Sequence, residues 1–319
     1  MTRVLVTGAA GFVGRQLCQV LADRGYVVRA ALRTADGIPE HAAEHVLVGE
    51  IGTDTDWSTA LDRVELVVHC AARVHVMGQT REGSNLYMES NVFGTERLAR
   101  ASVAAEVRRF VYLSSVKVNG EITADRPFSR EDEPRPVDPY GVSKLAGECR
   151  LAAVADASSM ATAIVRSPLV YGPRVRANFL RLMRLVERRI PLPFASIRNS
   201  RSLVSVWNLC DLIDRLMRGP IPKSAVFMVS DGEDLSTPAL LRRMGAAMRR
   251  PVRLLPMPGR VLRAVAVLAG RREEFERLCG SLTVDISATR DELGWTPPVS
   301  MDEALARTAR WYASKGDAP

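Results

Sequence analysis

Six short apolar runs cross the chain up to residue 167, at 3–7, 26–32, 46–51, 65–72, 108–115 and 161–167. Between several of them the apolar positions return at helical spacing, as in RQLCQVLADRG closed by Gly25, in 84–105, and from Asp138 through Leu151. Strand and helix alternating in this way predict an α/β fold built on a doubly wound parallel sheet. From about Arg174 the rhythm breaks. Helices are predicted at 177–189, 208–218, 236–249, 260–270 and 301–314, with short strands near 203–206 and 225–229. A smaller mixed α/β part folding over the first is the expectation, with no linker or internal repeat between them. The apolar stretch 261–269 is too short to span a bilayer, is broken by Arg263, and reads as a buried helix.

Composition narrows the picture. At 319 residues, 47% hydrophobic and 25% charged, the chain has the make-up of a soluble globular protein with one large domain and a smaller one. The net charge of +8 comes from 44 basic residues, of which only four are lysines; the arginines are spread along the whole chain. No basic block alternates with stacking aromatics, so a nucleic-acid partner is not expected. The charge suits anionic substrates, or a peripheral contact with an acidic membrane surface. The five cysteines are scattered and form no Cys-x-x-Cys pair, which reads as reduced thiols. The four histidines fall in no metal-ligand spacing, so no metal is expected. The sequence enters a strand at once, with no signal-peptide core, and a cytoplasmic location follows as the expectation.

Candidate chemistry begins at Gly8, Ala9, Ala10, Gly11, Phe12, Val13 and Gly14, between the first strand and its helix. Glycines there allow a tight turn and close backbone approach, and the helix N-terminus offers N–H groups and a positive dipole to a phosphate. The second strand lacks the acidic residue that would grip the adenosine ribose of NAD. Arg29 and Arg33 occupy the region instead, so Arg33 is either a 2′-phosphate ligand or a surface arginine. Glu50 and Ile51 end the third strand near the place of an adenine, and Ala71 and Ala72 end the fourth with small side chains. His69 reads as a packed core residue. Ser114 and Ser115 stand at the carboxyl end of the fifth strand, the edge at which parallel sheets bind ligands. The long loop 116–137 follows them.

In Asp138-Pro139-Tyr140-Gly141-Val142-Ser143-Lys144, Asp138 is placed to cap a helix and Pro139 to open it. Tyr140 and Lys144, four apart, then share one helix face. An ammonium beside a phenol draws its pKa down, so Tyr140 is a candidate for proton exchange near neutral pH; taken alone, such a pair is more often an exposed pair on a helix.

The segments TGAAGFVG (7–14), HCAA (69–72), NVFGT (91–95), SS (114–115), YGVSK (140–144) and RSPLVYGP (166–173) come in order and spacing. Together they resemble an extended short-chain dehydrogenase/reductase of the NAD-dependent epimerase/dehydratase family, over almost the whole chain. The resemblance implies a Rossmann domain over 1–173, to which later segments return, and a mainly substrate-binding domain over 174–319 for a nucleotide-sugar. NAD or NADP is the implied cofactor. It implies Ser115, Tyr140 and Lys144 as the catalytic group, with Tyr140 and Lys144 also meeting the cofactor alongside Asn91, Ser114 and Pro168. Asn178 and Arg201 match residues that hold the substrate diphosphate, and Lys117 and Asn119 lie where a loop either reaches sugar substituents or faces solvent. Two departures stand out: Asn119-Gly120 replaces the usual Tyr-Gly, and LCGSLTVD (278–285) replaces the segment carrying a second diphosphate arginine. A homodimer through the helices at 84–105 and 138–157 is also implied.

SSVKVNGE, DPYGVSK and RSLVSVWNLCDL resemble a bacterial polysaccharide subgroup of 4-epimerases and 4-keto-reductases. With Arg33 in place of an acidic residue, an exchangeable NADPH and a 4-keto-6-deoxy-sugar reductase are the first expectation. A UDP-sugar 4-epimerase of the UDP-glucose or UDP-N-acetylglucosamine type, with tightly held NAD, is the alternative. A non-catalytic dinucleotide-binding protein is the second.

Overall fold

The computed structural model describes residues 1–74 and 85–316. His75 and the expected helix start at residue 84 lie outside them. Seven strands form one sheet: β1 (Arg3–Thr7), β2 (Val27–Leu32), β3 (Glu44–Leu47), β4 (Leu66–His69), β5 (Arg109–Ser115), β6 (Ala161–Ser167) and β9 (Ser224–Met228). They lie in the order β3-β2-β1-β4-β5-β6-β9, and every pairing is parallel. Alternation along β1 shows how the sequence fills both faces. Val4 and Val6 join a core with Leu17, Leu21, Leu209 and Leu212, while Leu5 joins another with Leu98, Phe110, Tyr112 and Leu151. Each such side chain contributes roughly 1.5–3 kcal/mol by leaving water.

Two helices, Phe12–Asp23 and Val206–Arg218, cover the first face; Gly94–Ala104 and Pro139–Asp156 cover the second. Arg24 ties the first pair together through ion pairs to Asp211, at 2.5 Å, and to Asp214. Before residue 94 the chain winds as a π-helix over Met88–Phe93, which carries Asn91. The expected strands at 46–51 and 65–72 are shorter than expected, so Glu50, Ile51, Ala71 and Ala72 sit past the strand ends rather than within them.

A second, three-stranded sheet joins β7 (Leu169–Tyr171), β8 (Arg201–Ser205) and β10 (Asp234–Leu235), in the order β10-β8-β7. Its core unites Tyr171, Phe179, Leu182, Met183, Leu203, Leu241, Met244 and Leu305. The strand expected near 225–229 belongs to the main sheet, as β9, because its apolar residues pair with β6. Periodicity alone could not distinguish the two sheets. The helix at Gly259–Leu268 is not buried, contrary to expectation: Val265 is 56% and Leu268 89% exposed.

The chain turns from β1 outward to β3 and returns to β4, so the switch point lies between β1 and β4. There Gly8 faces the segment after β4: a Cβ on Gly8 would stand 2.7 Å from the Ala71 nitrogen, and one on Gly14 2.2 Å from the Gly8 carbonyl oxygen. Gly14→Ala is therefore expected to lower stability by about 2–4 kcal/mol, read as a fall in the urea midpoint, since backbone must move to admit the methyl.

Candidate active site

The turn 8–14 is built as a phosphate cradle. Gly8 takes φ +66°, a conformation glycine adopts without strain, and its carbonyl accepts from the Gly11 N–H at 2.9 Å. Gly11 caps the following helix with extended backbone and no side-chain bond, and no acidic residue lies in the first turn. The helix thus presents its opening N–H groups, from Phe12, Val13 and Gly14, with the dipole uncompensated. Ala10 and Gly11 are exposed, and Phe12 and Val13 half-buried. A dinucleotide diphosphate fits this cradle, because the exposed Ala10 and Gly11 and the uncapped helix start leave these N–H groups accessible, with no acidic side chain in the first turn to oppose an anion.

Beyond β2 the two arginines differ. Arg29 is buried and spent on Glu44, at 2.6 Å, and on the Thr59, Ala60 and Asp62 carbonyls. Arg33 is exposed and pairs with Glu50 at 3.1 Å; Glu50 also accepts Arg73 at 3.2 Å. Ile51 packs on Gly94, where a Cβ would stand 2.6 Å from the Ile51 Cγ2. Ala71 and Ala72 are half-buried, and the Ala71 N–H donates to Thr7 Oγ1 at 3.3 Å. Asn91 is buried. Its amide donates to the Arg73 carbonyl and to Ser143 Oγ, both at 3.0 Å, and its oxygen accepts from the Arg73 N–H at 2.8 Å. It therefore joins the loop after β4 to the helix carrying Tyr140.

That helix starts as its sequence requires. Asp138 accepts from the Gly141 N–H at 2.7 Å, and Pro139 occupies the first turn. Tyr140 is half-buried, its ring 6.3 Å from that of Tyr87. Lys144 is 1% exposed, and its Nζ lies 4.0 Å from the centre of the Tyr112 ring. Gly147 makes this packing feasible, since a Cβ there would meet the Tyr112 oxygen at 2.7 Å. Burial holds the Lys144 ammonium down to about 7, against the opposing pull of Glu148. Burial likewise raises the Tyr140 phenol above its ordinary value, and the Asp138 carboxylate raises it further. The expected lowering of Tyr140 by Lys144 is thus not found: the ammonium rests on the Tyr112 face, and the charges acting on Tyr140 are negative.

Ser115 ends β5 and accepts from the Lys117 N–H at 3.3 Å, capping the short turn Val116–Val118. Ser114 donates to Glu148. The Glu148 carboxylate also takes Arg166, at 2.7 Å from Nη2 and 3.1 Å from Nε, both side chains being 5% exposed. Arg166 reaches on to the Asn119 oxygen at 3.2 Å, while the Asn119 amide donates to the Ser129 carbonyl at 3.0 Å. Lys117 pairs with Glu121 at 2.9 Å and with Asp138. Lys117 and Asn119 are therefore engaged in holding the loop 116–137 against the sheet, and Asn119 is buried. Pro168 is buried between β6 and β7. Asn178 is half-buried in the first turn of the helix Ala177–Glu187, and Arg201 opens β8 with Nη1 on the Gly280 carbonyl at 2.8 Å.

His69 is fully buried and stacks on Tyr112 at 5.6 Å. Thr95 gives its proton to the Asn91 carbonyl, at 2.8 Å, so its oxygen accepts from His69 Nε2 at 3.1 Å and Nδ1 accepts from Thr7 at 2.6 Å. Burial, then the charge of Lys144, hold this imidazole down to about 3. It is a neutral core group, as its sequence context suggests.

Comparison with known proteins now identifies the frame. The model of the NAD dependent epimerase/dehydratase family matches residues 4–227. The chain belongs to that family. A UDP-glucose 4-epimerase of Vibrio cholerae is 44% identical over 97% of this chain and 95% of its own length. A 3-beta-hydroxysteroid dehydrogenase of Mycolicibacterium neoaurum is 26% identical over 99% and 92%. Among solved structures, MoeE5 in complex with UDP-glucose and NAD superposes with a TM-score of 0.77 at 27% identity, covering 98% of this chain and 99% of that one. Within this epimerase/dehydratase frame, Glu148 and Arg166 were not anticipated. The signals were present: Glu148 lies four residues beyond Lys144 on the same face, and Arg166 is a charge inside an apolar strand.

Two outcomes follow from these burials. Removing the carboxylate in Glu148→Ala strands a buried guanidinium and is expected to destabilise by about 3–5 kcal/mol in urea unfolding, with Glu148→Gln milder because its amide oxygen still accepts. Lys144 titrates near 7 when folded and near 10.5 when unfolded, so between these values the unfolded chain holds one more proton and stability rises with pH. Lys144→Met is expected to raise stability by roughly 2–5 kcal/mol at pH 6, a gap that thermal melts should show closing towards pH 10.

Proposed function

We propose that this protein is a UDP-hexose 4-epimerase that retains NAD through its catalytic cycle. The reading is supported by the 44% identity of this chain to a UDP-glucose 4-epimerase over nearly its full length, together with Ser115 at the end of β5, Lys144 resting on Tyr112 of that strand, and Tyr140 one turn before Lys144. That relative supports the epimerase over the net 4-keto-reductase that Arg33 first suggested. Arg33 itself weakens the reductase reading. Its guanidinium rests on Glu50, so a 2′-phosphate placed there would meet a carboxylate, whereas ribose hydroxyls could donate to it. NAD rather than NADP is the dinucleotide this surface suits.

When bound, the nicotinamide supplies hydride acceptance and return at the sugar C4. The chain's own residues manage the proton and the pose. Tyr140, a phenol already protonated at neutral pH and held so more firmly by burial, is set to donate to a 4-keto oxygen. To accept the C4 hydroxyl proton in the opposite direction it needs a positive charge nearby, and Lys144, one turn along the helix, would have to leave its seat on the Tyr112 ring to supply it. Ser115 hydrogen-bonds the same sugar oxygen. Arg201, drawn below its ordinary pKa by burial but cationic throughout the working range, anchors the diphosphate with Asn178. The homodimer rests on the helices Gly94–Ala104 and Pro139–Asp156, whose ends leave Phe93 36% and Val142 48% exposed.

Purified protein, given UDP-glucose and no added cofactor, is expected to form UDP-galactose and to release close to one NAD per chain on denaturation. A requirement for added NADPH with net consumption would instead establish the reductase. Tyr140→Phe is expected to lower turnover about a thousandfold with the thermal midpoint within a few degrees of the parent, and near-parental turnover would remove Tyr140 from the mechanism.

A further inference from the structure

The helix Gly259–Leu268 is apolar yet hardly buried. Leu262 alone lies in the interior, at 9% exposed, while Val261, Val265, Val267 and Leu268 are 49%, 56%, 50% and 89% exposed. Positions 261, 265 and 268 are spaced four and three apart, so their side chains form one outward stripe. The inner side rests lightly on the small domain, where Gly259 approaches Ile197. Ten residues, about 15 Å, cannot cross a bilayer.

The charge around this stripe is one-sided. Residues 249–279 hold eight arginines against three glutamates, a net +5 of the chain's +8. Glu276 pairs with Arg272 at 2.8 Å and with Arg263 at 3.7 Å, and Glu273 with Arg277 at 3.1 Å. Among the described residues, Arg249, Arg250, Arg253, Arg260 and Arg271 form no ion pair, and all but Arg250 are exposed. A second copy seated on the stripe would bring this excess of arginine against itself, which opposes association. A negatively charged surface satisfies both features at once: apolar side chains enter the acyl boundary while arginines meet headgroups.

We infer that the Gly259–Leu268 helix is an interfacial element that docks the protein on an anionic lipid surface. The following helix, Arg272–Cys279, runs into Leu278 and Gly280, whose carbonyls are held by Asn199 at 3.2 and 3.1 Å and, for Gly280, by Arg201. Docking therefore anchors the part of the molecule that carries Arg201, with the cradle at 8–14 in the other sheet.

The test is cosedimentation of the full chain with vesicles of phosphatidylcholine alone and of phosphatidylcholine containing about one-third phosphatidylglycerol. Partition onto the anionic vesicles, weak on the neutral ones and reduced at high salt, is expected. The double variant Val265→Glu with Leu268→Glu should lose at least tenfold in that partition while keeping its melting temperature, because both side chains are exposed. Arg260→Gln with Arg271→Gln should weaken binding to anionic vesicles and leave the neutral baseline unchanged. Absence of partition onto anionic vesicles, or partition unaltered in the double glutamate variant, would overturn the inference. So would a concentration-dependent dimer that the double glutamate variant dissociates, since the stripe would then belong to a second copy.

Discussion

The buried pair of Arg166 and Glu148 holds the working edge of the sheet in place. Removing two charges from water is unfavourable unless their partners are many and well aimed. Here Glu148 accepts from Nε and Nη2 of Arg166 and from Ser114, while Arg166 also reaches Asn119. The network therefore fastens four pieces of chain at one point: the ends of β5 and β6, the helix Pro139–Asp156 and the loop 116–137. Ser115 follows Ser114 directly, and Tyr140 and Lys144 lie two turns and one turn before Glu148. The ion pair thus joins the strand end and the helix from which all three project.

Around that point the protein has assembled groups whose charged forms are disfavoured. Lys144 and His69 are both enclosed beside β5 and the Tyr140 helix, and burial dominates the shift of each. The ammonium retains a favourable contact with the Tyr112 face and the distant support of Glu148. A low-dielectric pocket of this kind makes any charge arriving nearby act strongly on its neighbours. That is the electrostatic setting in which a tyrosine can alternate between giving and taking a proton. Asn91 contributes by joining the loop after β4 to Ser143, which ties that loop to the Tyr140 helix.

Elsewhere the molecule's character is set by arginine. Some arginines are structural, as with Arg29 under the sheet edge and Arg24 between helices. Others, concentrated at 249–279, surround an apolar stripe that the fold leaves uncovered. The same residue type thus serves as a buried clamp and as an outward field, and only exposure distinguishes the two uses.

Much of this protein is determined by local sequence. The alternation of Val4, Leu5 and Val6, the glycines at 8, 11 and 14, and Asp138-Pro139 before Tyr140 each act over a few residues, through sterics, capping and period, and each adopts the conformation those rules require. The parallel doubly wound sheet, with Ser115 at the carboxyl end of β5, and the start of the helix that carries Tyr140 and Lys144 follow from that local order. What depended on contacts distant in sequence was not legible. Glu148 meeting Arg166, Lys144 lying on Tyr112 rather than acting on Tyr140, and Asn119 and Lys117 being held by loop partners all require segments brought together only by folding. The same holds for β9 joining the main sheet and for Gly259–Leu268 remaining at the surface. An apolar run specifies that a segment avoids water, but only the tertiary structure decides whether there is room in the core to receive it.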